Sequence, residues 1–111
     1  MFTEEDREKI RAITKAYTFG EQREILVEEC AELIQAVQKL KRRERSVIDP
    51  DDTTAAQNFI EELADVTIMI EQMVYYLSPA LFGDYDCWIT QKLDRQMNRI
   101  RLEEKNNESE R

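Results

Sequence analysis

Gly20, Pro50, Pro79 and Gly83 are the chain's only glycines and prolines, and they set the limits on what it can build. Between them run long stretches with apolar residues three and four apart, and no alternating pattern of useful length appears, so the chain reads as all-α. The first helix is expected to begin with Thr3 as its N-cap and Asp6 three residues on, placing Ile10, Ile13 and Tyr17 on one face. Gly20 then marks a turn into a second helix that runs to about Arg43. It closes on Lys39, Lys41, Arg42, Arg43 and Arg45, cations suited to a C-terminal dipole. Ser46 to Thr54, with Asp49-Pro50-Asp51-Asp52, reads as a loop and the N-cap of a third helix, which reaches Leu77 and stops before Pro79. A turn over Ser78 to Asp84 leads to a fourth helix from Asp84 or Asp86, with Trp88, Ile89, Leu93, Met97 and Ile100 available for packing. Residues 1–102 form the domain; the polar tail over 103–111 should be disordered. The expected fold is an antiparallel bundle of about four helices, with its core completed by oligomerisation.

Two of these helices carry the same acidic signature. In the second, Glu28, Glu29 and Glu32 fall within roughly 100° of one another on the helix surface, while Leu26, Cys30, Leu33, Ile34 and Val37 gather on a core-facing side. The acidic stripe is therefore expected to border the core without belonging to it. In the third, Glu61, Glu62 and Asp65 lie beside Phe59, Leu63, Val66, Ile70, Met73, Val74 and Leu77. A solvated acidic stripe usually carries Lys or Arg three or four residues along, but neither of these does. Antiparallel packing of the two helices would bring up to six carboxylates together. Repulsion at that range raises pKa values unless a cation sits among them, so a divalent metal is the simplest resolution.

Composition narrows the chemistry further. The chain has 111 residues, a formal net charge of −8 and no histidine. The charge argues against nucleic acid or an anionic membrane as the main partner, and the absence of histidine removes imidazole ligands and bases. Oxygen-only ligation favours magnesium, with manganese the other choice. The charged start from Met1 to Lys9 does not resemble a signal peptide and no apolar run approaches a membrane span, so a cytoplasmic location is expected. Cys30 and Cys87 are read as reduced core residues. On the fourth helix Lys92, Arg95 and Arg99 share a face and are candidates for binding phosphate oxygens.

Glu28-Glu29-x-x-Glu32 followed on the next helix by Glu62-x-x-Asp65 resembles the paired signature of the MazG-like all-α nucleotide pyrophosphohydrolases. The approach Phe19-Gly20-x-Gln22, the run Ala31-Glu32-Leu33-Ile34-Gln35-Ala36 and Lys92-Leu93-x-Arg95 are also similar to that family. The resemblance implies hydrolysis of a nucleoside triphosphate to the monophosphate and pyrophosphate. It assigns Glu29, Glu32, Glu62 and Asp65 to metal, Glu28 to handling the attacking water, and Lys92 and Arg95 to the outgoing pyrophosphate. It also implies a homodimer or dimer of dimers, for which Tyr75, Tyr76, Leu81, Phe82 and Trp88 are contact candidates. For the nucleobase, Phe19, Tyr17 or Trp88 are stacking candidates and Gln22 or Asn98 edge contacts. Two other readings stand beside this one. A phosphoribosyl-ATP pyrophosphohydrolase relative usually carries a lysine shortly before the first acidic doublet and a histidine after the second motif, whereas here Ile25 and Val27 flank Leu26 and histidine is absent. A non-enzymatic helical adaptor would dimerise through its apolar faces and bind a basic partner with its acidic ones.

Overall fold

The computed structural model describes residues 1–45 and 53–110, with 43–45 described by backbone alone. It is all-helical among those residues: α1 spans Glu4–Ala16, α2 Phe19–Arg45, α3 Thr54–Tyr75 and α4 Pro79–Ser109. None of these is long and apolar enough to cross a membrane. The expected loop over Asp49, Pro50, Asp51 and Asp52 lies outside the described residues. The chain divides into two compact units, Met1–Tyr76 and Leu77–Arg111.

The starts of the helices follow from local chemistry. At α1 the Asp6 backbone N–H donates to Thr3 Oγ1 at 3.0 Å and the Thr3 N–H donates to Asp6 Oδ2 at 2.9 Å, the reciprocal box expected from Thr3 and Asp6. These bonds hold the Asp6 carboxyl below its ordinary value. A second box, not anticipated, starts α2: the Glu21 N–H donates to Thr18 Oγ1 at 3.2 Å, and Thr18 returns its N–H and hydroxyl to Glu21 Oε1. The turn therefore falls at Tyr17 and Thr18. Gly20, expected to make it, lies inside the first turn of α2 with no left-handed backbone.

The fourth helix also begins earlier than expected. Ser78 is an N-cap whose hydroxyl accepts from the Leu81 N–H at 3.3 Å, and Pro79 occupies the first turn, where a missing N–H costs nothing. Residues 79–83, expected as a turn, are thus helical, and the polar stretch over 103–109 continues the same helix. No residue of α4 is buried. Its packing candidates Trp88, Ile89, Leu93, Met97 and Ile100 are all exposed, as is Cys87, expected in the core; Cys30 is half-buried.

Within the first unit, α2 packs mainly along α3, and α1 lies more lightly against α3. The line α2 buries runs through Gln22, Leu26, Glu29, Leu33, Ala36 and Leu40, a spacing of four and three that keeps one seam against a neighbouring helix. Ile34 and Val37, expected on the core face, are 62% and 42% exposed, while Ala36 is 1% exposed. The apolar arc of α2 is wider than one neighbour can cover, so the seam settles to one side of it. α3 behaves alike: Val66 and Met69 are buried, while Ile60, Leu63, Ile68 and Ile70 remain exposed. Ile10 of α1 completes the small buried apolar set, and an apolar groove of about 550 Å³ runs beside it between α1 and α3.

Side-chain links tie α1 and the start of α2 to the end of α3, the Arg11 guanidinium 5.8 Å from the centre of the Tyr75 ring among them. Arg7 pairs with Glu71 at 3.1 Å. The Tyr76 hydroxyl lies 2.8 Å from the Tyr17 carbonyl and 3.2 Å from that of Thr14, so one proton serves two acceptors. The Phe19 ring meets the Tyr76 ring edge-on, with centroids 5.6 Å apart. Burial, with the Glu21 charge nearby, pushes the Tyr76 phenol above its ordinary value.

Candidate metal centre

The two acidic motifs meet across the α2–α3 seam. Carboxylate oxygens of Glu29, Glu32 and Glu62 all lie within 4.8 Å of one another. Asp65 stands close enough for its charge to act on both Glu29 and Glu62. Glu29 approaches Asp65 while Glu32 approaches Glu62, which is the antiparallel register. The same register sets Gln22 level with Gln72.

The environment of these acids differs from that expected for a solvated stripe. Glu29 and Glu62 are half-buried within the seam, so the stripe does not merely border the core; only Glu32 of the three converging acids is exposed. Glu29 Oε2 and Glu62 Oε2 are shielded from solvent and have no hydrogen-bond partner among the described residues. Buried carboxylate oxygens without donors are costly, because desolvation is not repaid. Both carboxyls are held above their ordinary values, first by that desolvation. For Glu29 the Glu32 and Asp65 charges add to it; for Glu62 those of Glu32, Asp65 and Glu29 do. No ion pair among the described residues involves any of the four.

A hard divalent cation fits this donor set. It would offer positive charge to oxygens that no N–H reaches, and carboxylates are its preferred ligands. Glu29, Glu32 and Glu62 are the residues that could hold it, with Asp65 beside them. Glu28 and Glu61 are exposed and lie outside the converging group. Lys92 and Arg95 belong to the other compact unit, on the exposed surface of α4.

Gln72 is a seam residue that the acidic motifs do not include. It is 4% exposed with its Oε1 unpartnered, and Gln22 is 3% exposed, so the seam carries a buried carboxamide level as well as an acidic one. The signal was present in the spacing, because Gln22 and Glu29 are one heptad apart and so share the seam. No protein-family model, curated protein or solved structure matches the chain.

Proposed function

We propose that this protein is a metal-dependent nucleoside triphosphate pyrophosphohydrolase, releasing the monophosphate and pyrophosphate by attack of water at the α-phosphorus. The observation that carries the reading is the meeting of Glu29, Glu32 and Glu62 around shielded oxygens that no protein donor satisfies. The resemblance of Glu28-Glu29-x-x-Glu32 and Glu62-x-x-Asp65 to the MazG-like signature supports it independently. Magnesium, or manganese, when bound would polarise phosphoryl oxygens and make water more acidic. Glu29, Glu32, Glu62 and Asp65 hold the charge that fixes the substrate's phosphates in place. Glu28, exposed beside them, orients the water and takes its proton. The resemblance assigns neutralisation of the leaving pyrophosphate to Lys92 and Arg95, whether of the same chain or of a second copy.

Assembly is part of the proposal. Val27 is 61% exposed and Ile60 54%, together with Ile34 and Ile70, so each helix of the α2–α3 pair keeps an uncovered apolar side. A homodimer or dimer of dimers would cover it. The same exposure favours the second reading, an adaptor with no chemistry. Incubating the protein with a panel of nucleoside triphosphates and magnesium, with pyrophosphate and orthophosphate detected separately, decides between them. Pyrophosphate release is expected. No release across the panel, with a melting temperature unmoved by magnesium or manganese, would leave the adaptor.

A further inference from the structure

The buried side-chain oxygens that lack a hydrogen-bond partner among the described residues all lie in the α2–α3 seam: Glu29 Oε2, Glu62 Oε2 and Gln72 Oε1. A cation among the acids would answer the first two. Gln72 is out of its reach, standing seven residues beyond Asp65 on α3, about 10.5 Å along the helix axis. Gln22 lies level with Gln72 and is also buried, yet it donates nothing to that oxygen. The dry part of the seam is small. Among the described residues of α2 and α3 only Ala36, Val66 and Met69 are buried apolar side chains, so two carboxamides share the interior with three apolar residues. An oxygen left without a donor there weakens the pair by its lost hydration, and a polar residue at a seam position lowers the stability of paired helices in general.

We infer that the α2–α3 seam closes fully only around a divalent cation, and that Gln72 sets this dependence by keeping the metal-free seam partly open. Closure brings Glu29, Glu32 and Glu62 together and buries Gln72 in the same movement, so it meets both the repulsion of the acids and the desolvation of the carboxamide. A bound cation offsets the first. The second remains, and it lowers the fraction of molecules in which the acids are already assembled. Apparent affinity for the ion falls with that fraction, which makes Gln72 a positioning residue that acts on the ion without touching it. Leucine or methionine at this place would fill similar space and carry no orphan oxygen. The dependence rests on a cation at the acids, as proposed above, and not on hydrolysis or on any substrate.

The test is manganese binding to the full chain, followed by loss of the free-ion paramagnetic resonance signal, with wild type, Gln72→Leu and Gln72→Met side by side. Both substitutions should tighten the apparent Kd at least about fivefold, the lower end of what an unpaired buried group is worth. Hydrogen exchange gives a second readout. In chelator the amides from Val66 to Gln72 should be better protected in Gln72→Leu than in the wild type, and saturating magnesium should narrow the difference. Gly83→Ala places its methyl in open space on α4, outside the unit that holds the seam, and should raise helix stability while leaving manganese affinity alone. Gln72 variants that melt higher in chelator but bind manganese no more tightly than the wild type would overturn the inference and leave the cation site standing. A Gly83→Ala protein that gains manganese affinity as much as Gln72→Leu would also overturn it, because the effect would then not belong to the seam. Manganese bound by neither wild type nor variants would remove the cation and this inference together.

Discussion

Helix α1 and the α2–α3 seam are both rich in acids, and they treat them in opposite ways. In α1, Glu5 pairs with Lys9 at 3.4 Å, Glu4 with Arg11 at 3.3 Å, and Asp6 is absorbed into the helix cap. Across the seam, Glu29, Glu32, Glu62 and Asp65 face one another and, among the described residues, pair with no cation. Glu4 and Glu5 are exposed, so their pairs add little, and the loss of those pairs would cost little. Those of the seam are a standing cost to the folded chain. A residue type that stabilises one helix and strains another is informative only through its neighbours, and an uncompensated cost needs a ligand to offset it.

The comparison breaks most visibly if seam acids can be neutralised without consequence. Glu32→Gln and Asp65→Asn keep shape and remove charge, and each should lower pyrophosphate release by several orders of magnitude while the protein remains folded or melts slightly higher. Steady-state rates and thermal melts on the same samples check this, and near-normal turnover in both variants would eliminate the centre. A finer division separates Glu28 from Glu61, both exposed and both beside an acid of the seam. Glu28→Gln should lose about 10²- to 10⁴-fold in kcat while retaining magnesium and substrate, as expected for a general base. Glu61→Gln should lose far less.

The pH response offers a smaller, independent measure. Glu29 and Glu62 are held above their ordinary values in the folded protein, so between the ordinary and the raised value the folded chain binds more protons than the unfolded one. Stability from these groups is therefore lost as pH rises through that window and recovered as it falls. Chemical denaturation in chelator should show the wild type gaining on Glu29→Gln/Glu62→Gln as pH drops from neutral towards the carboxylate range. Saturating magnesium should flatten the difference. At the bottom of the scale, Glu5→Gln in α1 should change stability by under about 0.5 kcal/mol, within reach only of careful denaturant titrations.

What the sequence disclosed follows the range of the interactions involved. The Thr3–Asp6 box spans three residues and was legible, as were the two acidic motifs, because each lies on one helix. The side of α2 that would be buried was not, because an arc including Leu26, Leu33, Ile34 and Val37 offers several seams and the neighbour selects one. Punctuation misled twice. Gly20 and Pro79 each lie inside the first turn of a helix, where Gly is tolerated and Pro is favoured, while Thr18 and Ser78 mark the actual starts. The Arg7–Glu71 pair, 64 residues apart, leaves no local trace, whereas Gln22 is on the seam by its heptad spacing from Glu29.

The contact between Phe19 and Tyr76 has a consequence that reaches the acids. Glu29 lies ten residues along α2 from Phe19, and Asp65 eleven residues back along α3 from Tyr76. At 1.5 Å per residue these are arms of about 15 and 16.5 Å leaving a common pin. Glu32 and Glu62 extend the arms to about 19.5 and 21 Å by the same count. When ionised the carboxylates cannot draw themselves together, since their charges repel. They meet because two rigid rulers start at one point and are nearly the same length, so deleting one residue from either helix between pin and acids would part them, by about 1.5 Å along the axis and about 100° around it, whereas deleting a heptad from both would restore the match.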